Sequence, residues 1–147
     1  MSRVGEVRLE IPARAAYLGL ARQVVAAAAA VEPTFREQRI DDLRIAVSEA
    51  TTNAIEAHAD LDRDERIVIR CNLGADQIEV EVIDRGAGFD PGATPAAPEP
   101  DDPDRLAHEH GLGLPLLRIL TDEAEITSDK GGTAVRLVVY RAPGARP

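Results

Sequence analysis

Aromatic residues make up only 3% of this 147-residue chain, and tryptophan is missing altogether. Its core must therefore be filled by Leu, Ile, Val and Ala. Cys71 is the single cysteine, so no intrachain disulfide can form. It lies in a stretch patterned as a buried strand. Lysine is nearly absent as well: Lys130 stands alone among arginines. With the many Ala and Pro residues, that skew points to GC-rich coding and says little about function. No apolar run approaches the roughly 20 residues of a membrane helix, and the opening "MSRVGEVRLE" has no signal-peptide apolar stretch. These absences make the cytoplasm the expected location, away from any membrane. Positive charge is scarce too, with 17 basic residues against 26 acidic and a formal net charge of −9. Such a surface repels phosphate backbones and argues against direct nucleic-acid binding.

What remains is ordinary for a soluble domain. Hydrophobic residues are 44% and charged residues 29%, and the length suits one domain, residues 1–147, with a real core. "EVRLEIPA" alternates Val7, Leu9 and Ile11 with charged neighbours, the period of a half-buried strand. A helix is expected from about Arg14 to Val31, ending before Pro33. A second runs from near Arg36 to about Leu61, with Leu43, Val47, Ala50, Ala54, Ala57 and Leu61 as its apolar stripe. "RIVIRCNL" and "QIEVEVID" read as a hairpin turning at Gly74, Ala75 and Asp76. "LPLLRILTD" is a short helix with Pro115 in its first turn. "EAEITSD" and "TAVRLVVY" are two closing strands around "KGG". The order β-α-α-β-β-loop-α-β-β specifies an α+β, two-layer sandwich: a mostly antiparallel sheet with about three helices on one face.

Between Arg85 and Gly111 the periodicity stops. This Gly-, Pro- and acid-rich stretch is too long for a simple connection in a compact domain. From Gly92 to His110 it has too few large apolar groups to offset the entropy of ordering itself, so that part is expected to be mobile without a ligand and more ordered with one.

The polar residues on the second helix need an explanation. On a helical wheel Glu49 and Asn53 lie about 40° apart and flank the apolar stripe. A solvated i,i+4 pair would account for them if they stood alone. Asp84 ends a strand and is followed by Gly86 and Gly88, a spacing that lets the backbone approach a ligand closely. Gly111, Leu112 and Gly113 precede a helix N-terminus, whose N–H groups and dipole favour phosphate. Gly131, Gly132 and Thr133 enter the last strand. Each of these is weak by itself; a plain turn or hinge explains any one of them.

In order, however, these four elements resemble the nucleotide-binding boxes of the GHKL ATPase/kinase superfamily, the Bergerat fold, from about Asp41 to Val138. Within it the text is most similar to the anti-sigma factor serine/threonine kinases of the RsbW/SpoIIAB type. "AVSEATTNAI", "GLGLPLLRILTDEAEI" and "DKGGTAVRL" carry that likeness. The resemblance implies ATP and Mg²⁺ as cofactors. Asn53 would bind Mg²⁺, Asp84 would accept from the adenine amino group, and Thr133 would complete the adenine side. Gly86, Gly88, Gly111, Leu112 and Gly113 would shape a lid over about residues 86–113, and Arg105 would clamp phosphate. Glu49 would be the general base. It also implies a sigma factor as one partner, a STAS-type anti-sigma factor antagonist as protein substrate, and a homodimer.

Two features depart from the pattern. His58 lies nine residues after Glu49, where the family often has a His at eight, and so points about 180° away from it. The His108-Glu109-His110 run reads as polar loop rather than metal site. Two other readings fit parts of the text. One is a nucleotide-gated anti-sigma binding module without turnover. The other is a detached histidine-kinase ATP-binding domain, which would usually have Asn at the place of Glu49 and a phosphoacceptor helix pair before it.

Overall fold

The computed structural model describes residues 3–31, 35–57, 66–85, 113–129 and 131–141. Strand β1 (Arg3–Pro12) leads through a short 3₁₀ turn (Ala15–Tyr17) into helix α1 (Leu18–Ala30). Helix α2 (Glu37–Ala57) follows, then strands β2 (Arg66–Gly74) and β3 (Gln77–Asp84). Helix α3 (Gly113–Leu120) precedes strands β4 (Glu123–Asp129) and β5 (Gly132–Tyr140). The five strands form one antiparallel sheet in the order β1-β2-β3-β5-β4. The expected element order is the observed one.

Two details differ from the expectation. The first helix begins as a 3₁₀ turn, so regular α-helix starts only at Leu18. Ala57 is exposed rather than part of the buried stripe, whose last buried member is Ala54. Leu61 and His58 lie outside the described residues, as does the stretch from 86 to 112.

Alternation along the strands separates the two faces of the sheet. Val7, Cys71, Val80, Leu137 and Ala124 form one row across all five strands on the helix side. Leu9, Ile69, Val82, Val135 and Ile126 form the next. Against these rows pack Leu43, Val47, Ala50 and Ala54 of α2, Ala21 and Val25 of α1, and Leu117 of α3. The meeting faces of α1 and α2 are dominated by alanines, which lets the two helices lie close.

The outer face is polar. Arg136 is held by Glu79 at 2.6 Å, with Glu123 at 3.5 Å and Glu125 at 3.8 Å. Partial burial alone would lower its pKa, but the bond to Glu79 and the three carboxylates raise it above the ordinary arginine value.

One carboxylate fastens three elements together. Asp122, in the turn after α3, pairs with Arg39 of α2 and accepts a hydrogen bond from the Tyr140 backbone N–H at 2.7 Å. The Thr121 hydroxyl, beside it, donates at 2.6 Å to the Leu117 carbonyl, which also accepts the Thr121 backbone N–H at 3.0 Å. The position of α2 is thereby fixed relative to both α3 and the end of β5.

Candidate functional site

At one end of the sheet the helix-facing pattern changes from apolar to polar. The third row begins with Ile11 and Ile67 and then reaches Asp84, Thr133 and Ser128 on β3, β5 and β4. Asp84 is paired directly with Thr133, and Thr133 with Ser128. The Ser128 and Thr133 hydroxyls lie 2.9 Å apart. Asp84 is only 5% exposed. A carboxylate in that position is costly unless hydrogen-bond donors meet it, so the row is a built polar floor and not a frayed strand end.

Gly132 makes the floor compact. Its φ is +137°, and a β-carbon there would stand 2.0 Å from the Asp84 carbonyl oxygen. Only glycine permits β5 to begin this close to the end of β3.

Helix α2 packs on β3, β5 and α3. Glu49 and Asn53 are both half-buried on it. On the helical wheel Arg39 lies about 40° beyond Asn53 on the same flank, and Arg39 reaches Asp122 just after α3. The flank carrying Glu49 and Asn53 is therefore the one turned toward α3. Gly113 is the first residue of α3. Helix α2 thus packs on both strands that carry Asp84 and Thr133, and on the helix that Gly113 opens. Gly86, Gly88, Arg105, Gly111 and Leu112 lie outside the described residues.

Reading the sequence missed two members of this floor. Ser128 was recoverable, since it is the last inward-facing residue of "EAEITSD". Gly132 was visible only as part of a tight turn; its contact with Asp84 depends on the pairing of β3 with β5, which brings together residues 48 positions apart.

Could the residues present hold a nucleotide? The fit rests on chemistry: a buried carboxylate and two hydroxyls in a row to meet an adenine edge, a glycine that removes bulk beside them, and an amide on the facing helix. Among the described residues no group of three His, Cys, Asp or Glu stands ready to hold a metal unaided. A divalent cation would need oxygens from the nucleotide as well as Asn53.

The family profile described as "Histidine kinase-like ATPase domain" matches residues 11–139. Among curated proteins, the chain is 34% identical over 138 residues to the serine-protein kinase RsbW of Bacillus cereus (strain AH187), spanning 92% of this chain and 85% of that one. It is also 34% identical over 132 residues to the serine-protein kinase RsbW of Bacillus licheniformis, spanning 86% and 81%. The chain belongs to the histidine kinase-like ATPase domain family, and within it to the RsbW serine-protein kinases. Among solved structures, the RsbU and RsbW domains of Rv1364c from Mycobacterium tuberculosis share its fold, with a TM-score of 0.67 at 22% identity. That match covers 92% of this chain and 32% of the longer protein.

Proposed function

We propose that this protein is an ATP-dependent serine/threonine kinase that acts as an anti-sigma factor. It phosphorylates a small STAS-type antagonist and sequesters a sigma factor. The observation that carries this reading is the polar row Asp84–Thr133–Ser128, two of whose strands pack against α2, with Glu49 and Asn53 half-buried on that helix. The kinship with RsbW serine-protein kinases points the same way.

Each side chain then has a task. The Asp84 carboxylate accepts a hydrogen bond from the adenine amino group, with Thr133 beside it. Asn53 offers its amide oxygen to Mg²⁺, and Gly113 opens α3 so that its N–H groups meet phosphate. Gly86, Gly88, Gly111 and Leu112 form the lid, and Arg105 clamps phosphate. Bound there, Mg-ATP supplies an electrophilic γ-phosphoryl group whose charge the metal offsets. Glu49 takes the proton from the antagonist's seryl hydroxyl as that oxygen attacks, and ADP leaves. A carboxylate one helical turn from the amide suits this work, since phosphoryl transfer asks for orientation more than for covalent help. The protein works in the cytoplasm as a homodimer, and its two protein partners compete for it.

Glu49→Gln separates chemistry from binding. Glutamine keeps the shape and helix propensity of glutamate but takes no proton at neutral pH. In a single-turnover assay with radiolabelled ATP and a candidate antagonist, the rate should fall by roughly 10²–10⁴ with ATP affinity nearly unchanged. Transfer at the parental rate would sink the assignment of Glu49. No transfer by the parent protein, with ATP still bound, would favour a binding module without turnover.

A further inference from the structure

The face of the sheet turned away from the helices holds a shallow cavity of about 130 Å³. Four arginines wall it, Arg8, Arg66, Arg70 and Arg85, and Val68 and Ile83 form its floor. The pattern follows from strand alternation. Ile67, Ile69 and Cys71 point to the core, so Arg66, Val68 and Arg70 point outward, and Val68 pairs directly with Ile83. Arg8 pairs directly with Arg70 across β1 and β2.

Like charges placed opposite one another destabilise a sheet. Two of the four are partly offset: Arg8 lies 3.0 Å from Glu10, which stands opposite Val68, and Arg70 lies 3.2 Å from Glu6 and stands opposite Glu81. Arg66 and Arg85 are exposed and have no ion-pair partner among the described residues. Nor is this cluster the overflow of a basic composition, because the chain carries a net charge of −9. Further along the same face, Glu79 and Glu123 are already engaged by Arg136.

We propose that this cavity docks an acidic segment of a partner protein. Carboxylates of that segment pair with the guanidinium groups, and one apolar side chain seats on Val68 and Ile83. The floor chooses among anions. Free phosphate would place an ion against two aliphatic side chains and gain nothing from them. A nucleic acid would find no aromatic ring for its bases in this cavity and an acidic protein around it. A peptide that mixes acid with an aliphatic residue satisfies both parts, and guanidinium groups match carboxylates with paired hydrogen bonds. The cavity lies on the opposite face from Asp84, Thr133 and Ser128, so its occupant leaves the polar row open. The proposal does not depend on the kinase reading.

The test uses the whole chain and a fluorescein-labelled peptide of alternating Glu and Leu, followed by anisotropy. A Lys–Leu peptide of equal length is the control. The acidic peptide should bind, weaken with added salt, and lose about tenfold in affinity in the Arg66→Glu, Arg85→Glu double variant. Val68→Ser should weaken it less but measurably, and melting temperatures show that both variants remain folded. Absence of acidic-peptide binding, or equal binding by the charge-reversed variant, overturns the proposal. Complete displacement by inorganic phosphate also overturns it, leaving a simple anion site. So does sedimentation showing self-association that the double variant abolishes and the peptide does not disturb, which would assign the face to a second copy.

Discussion

A β-carbon on Gly132 would collide with the Asp84 carbonyl, and the φ of +137° is one that side-chain-bearing residues rarely adopt. Gly132→Ala should therefore cost at least about 2 kcal/mol, read as a shift in denaturant midpoint at constant slope. An unchanged midpoint would mean that the turn before β5 relaxes freely. Asp84→Asn differs in kind. It keeps the volume but replaces an acceptor-only carboxylate with a group that also donates, so nucleotide binding should be lost with little change in melting. Calorimetric titration with ATP beside a thermal melt checks this, and undiminished affinity would remove Asp84 from the site. Cys71 is 1% exposed, and burial pushes its thiol up to about 11 from an ordinary 9.0. The raised native pKa leaves stability from this group intact below about pH 9. That contribution is lost between about pH 9 and 11, where only the unfolded chain ionises. The native thiol should resist a thiol-specific reagent at pH 8 and react on unfolding.

At the scale of elements, Asp122 joins α2, the turn after α3 and the last residue of β5. Asp122→Ala leaves Arg39 half-buried without its main partner and frees the Tyr140 N–H. A loss of about 2–3 kcal/mol is expected, with partial rescue by Asp122→Asn, which still accepts hydrogen bonds. Urea denaturation of the three proteins tests it; equal losses in both variants would mean that charge alone matters. How much of this was legible beforehand follows from range. The strands showed themselves because Val7, Leu9 and Ile11, or Ile78, Val80 and Val82, alternate within a few residues. The stripe of α2 was legible for the same reason, as was the half-buried flank that carries Glu49 and Asn53. Ser128 beside Thr133, Gly132 against Asp84, and Arg8 opposite Arg70 were not. Each depends on which strands become neighbours and in what register, and no local pattern encodes that.

Across the whole molecule the sheet divides two tasks between its faces. The helix side carries the core and the polar row, and the outer side carries the Arg136 network and the arginine cavity. A ligand held on the helix side would tie α2, α3 and the sheet together in the folded state only. Mg-ATP at about 100 times its dissociation constant should add roughly 2.7 kcal/mol of stability. For a chain of this size that is a rise in melting temperature of about 5–10 °C. A scan with and without nucleotide measures it, and no shift at saturating Mg-ATP would contradict a nucleotide site. Magnesium alone should produce no such rise, since no described cluster holds a metal unaided.

The row Asp84–Thr133–Ser128 also bears on how such a chain can change length. Its members meet because β3, β4 and β5 are in one register, and side chains alternate faces with every residue. One residue inserted between Val80 and Asp84 would send the carboxylate to the arginine side of the sheet, and one deleted from β5 would strand Thr133 in the same way. Two residues would restore the face but move the row. Insertions and deletions should therefore survive in the turn at Ala75–Asp76, which leaves the pairing of β3 with β5 untouched, and be selected against within the strands themselves.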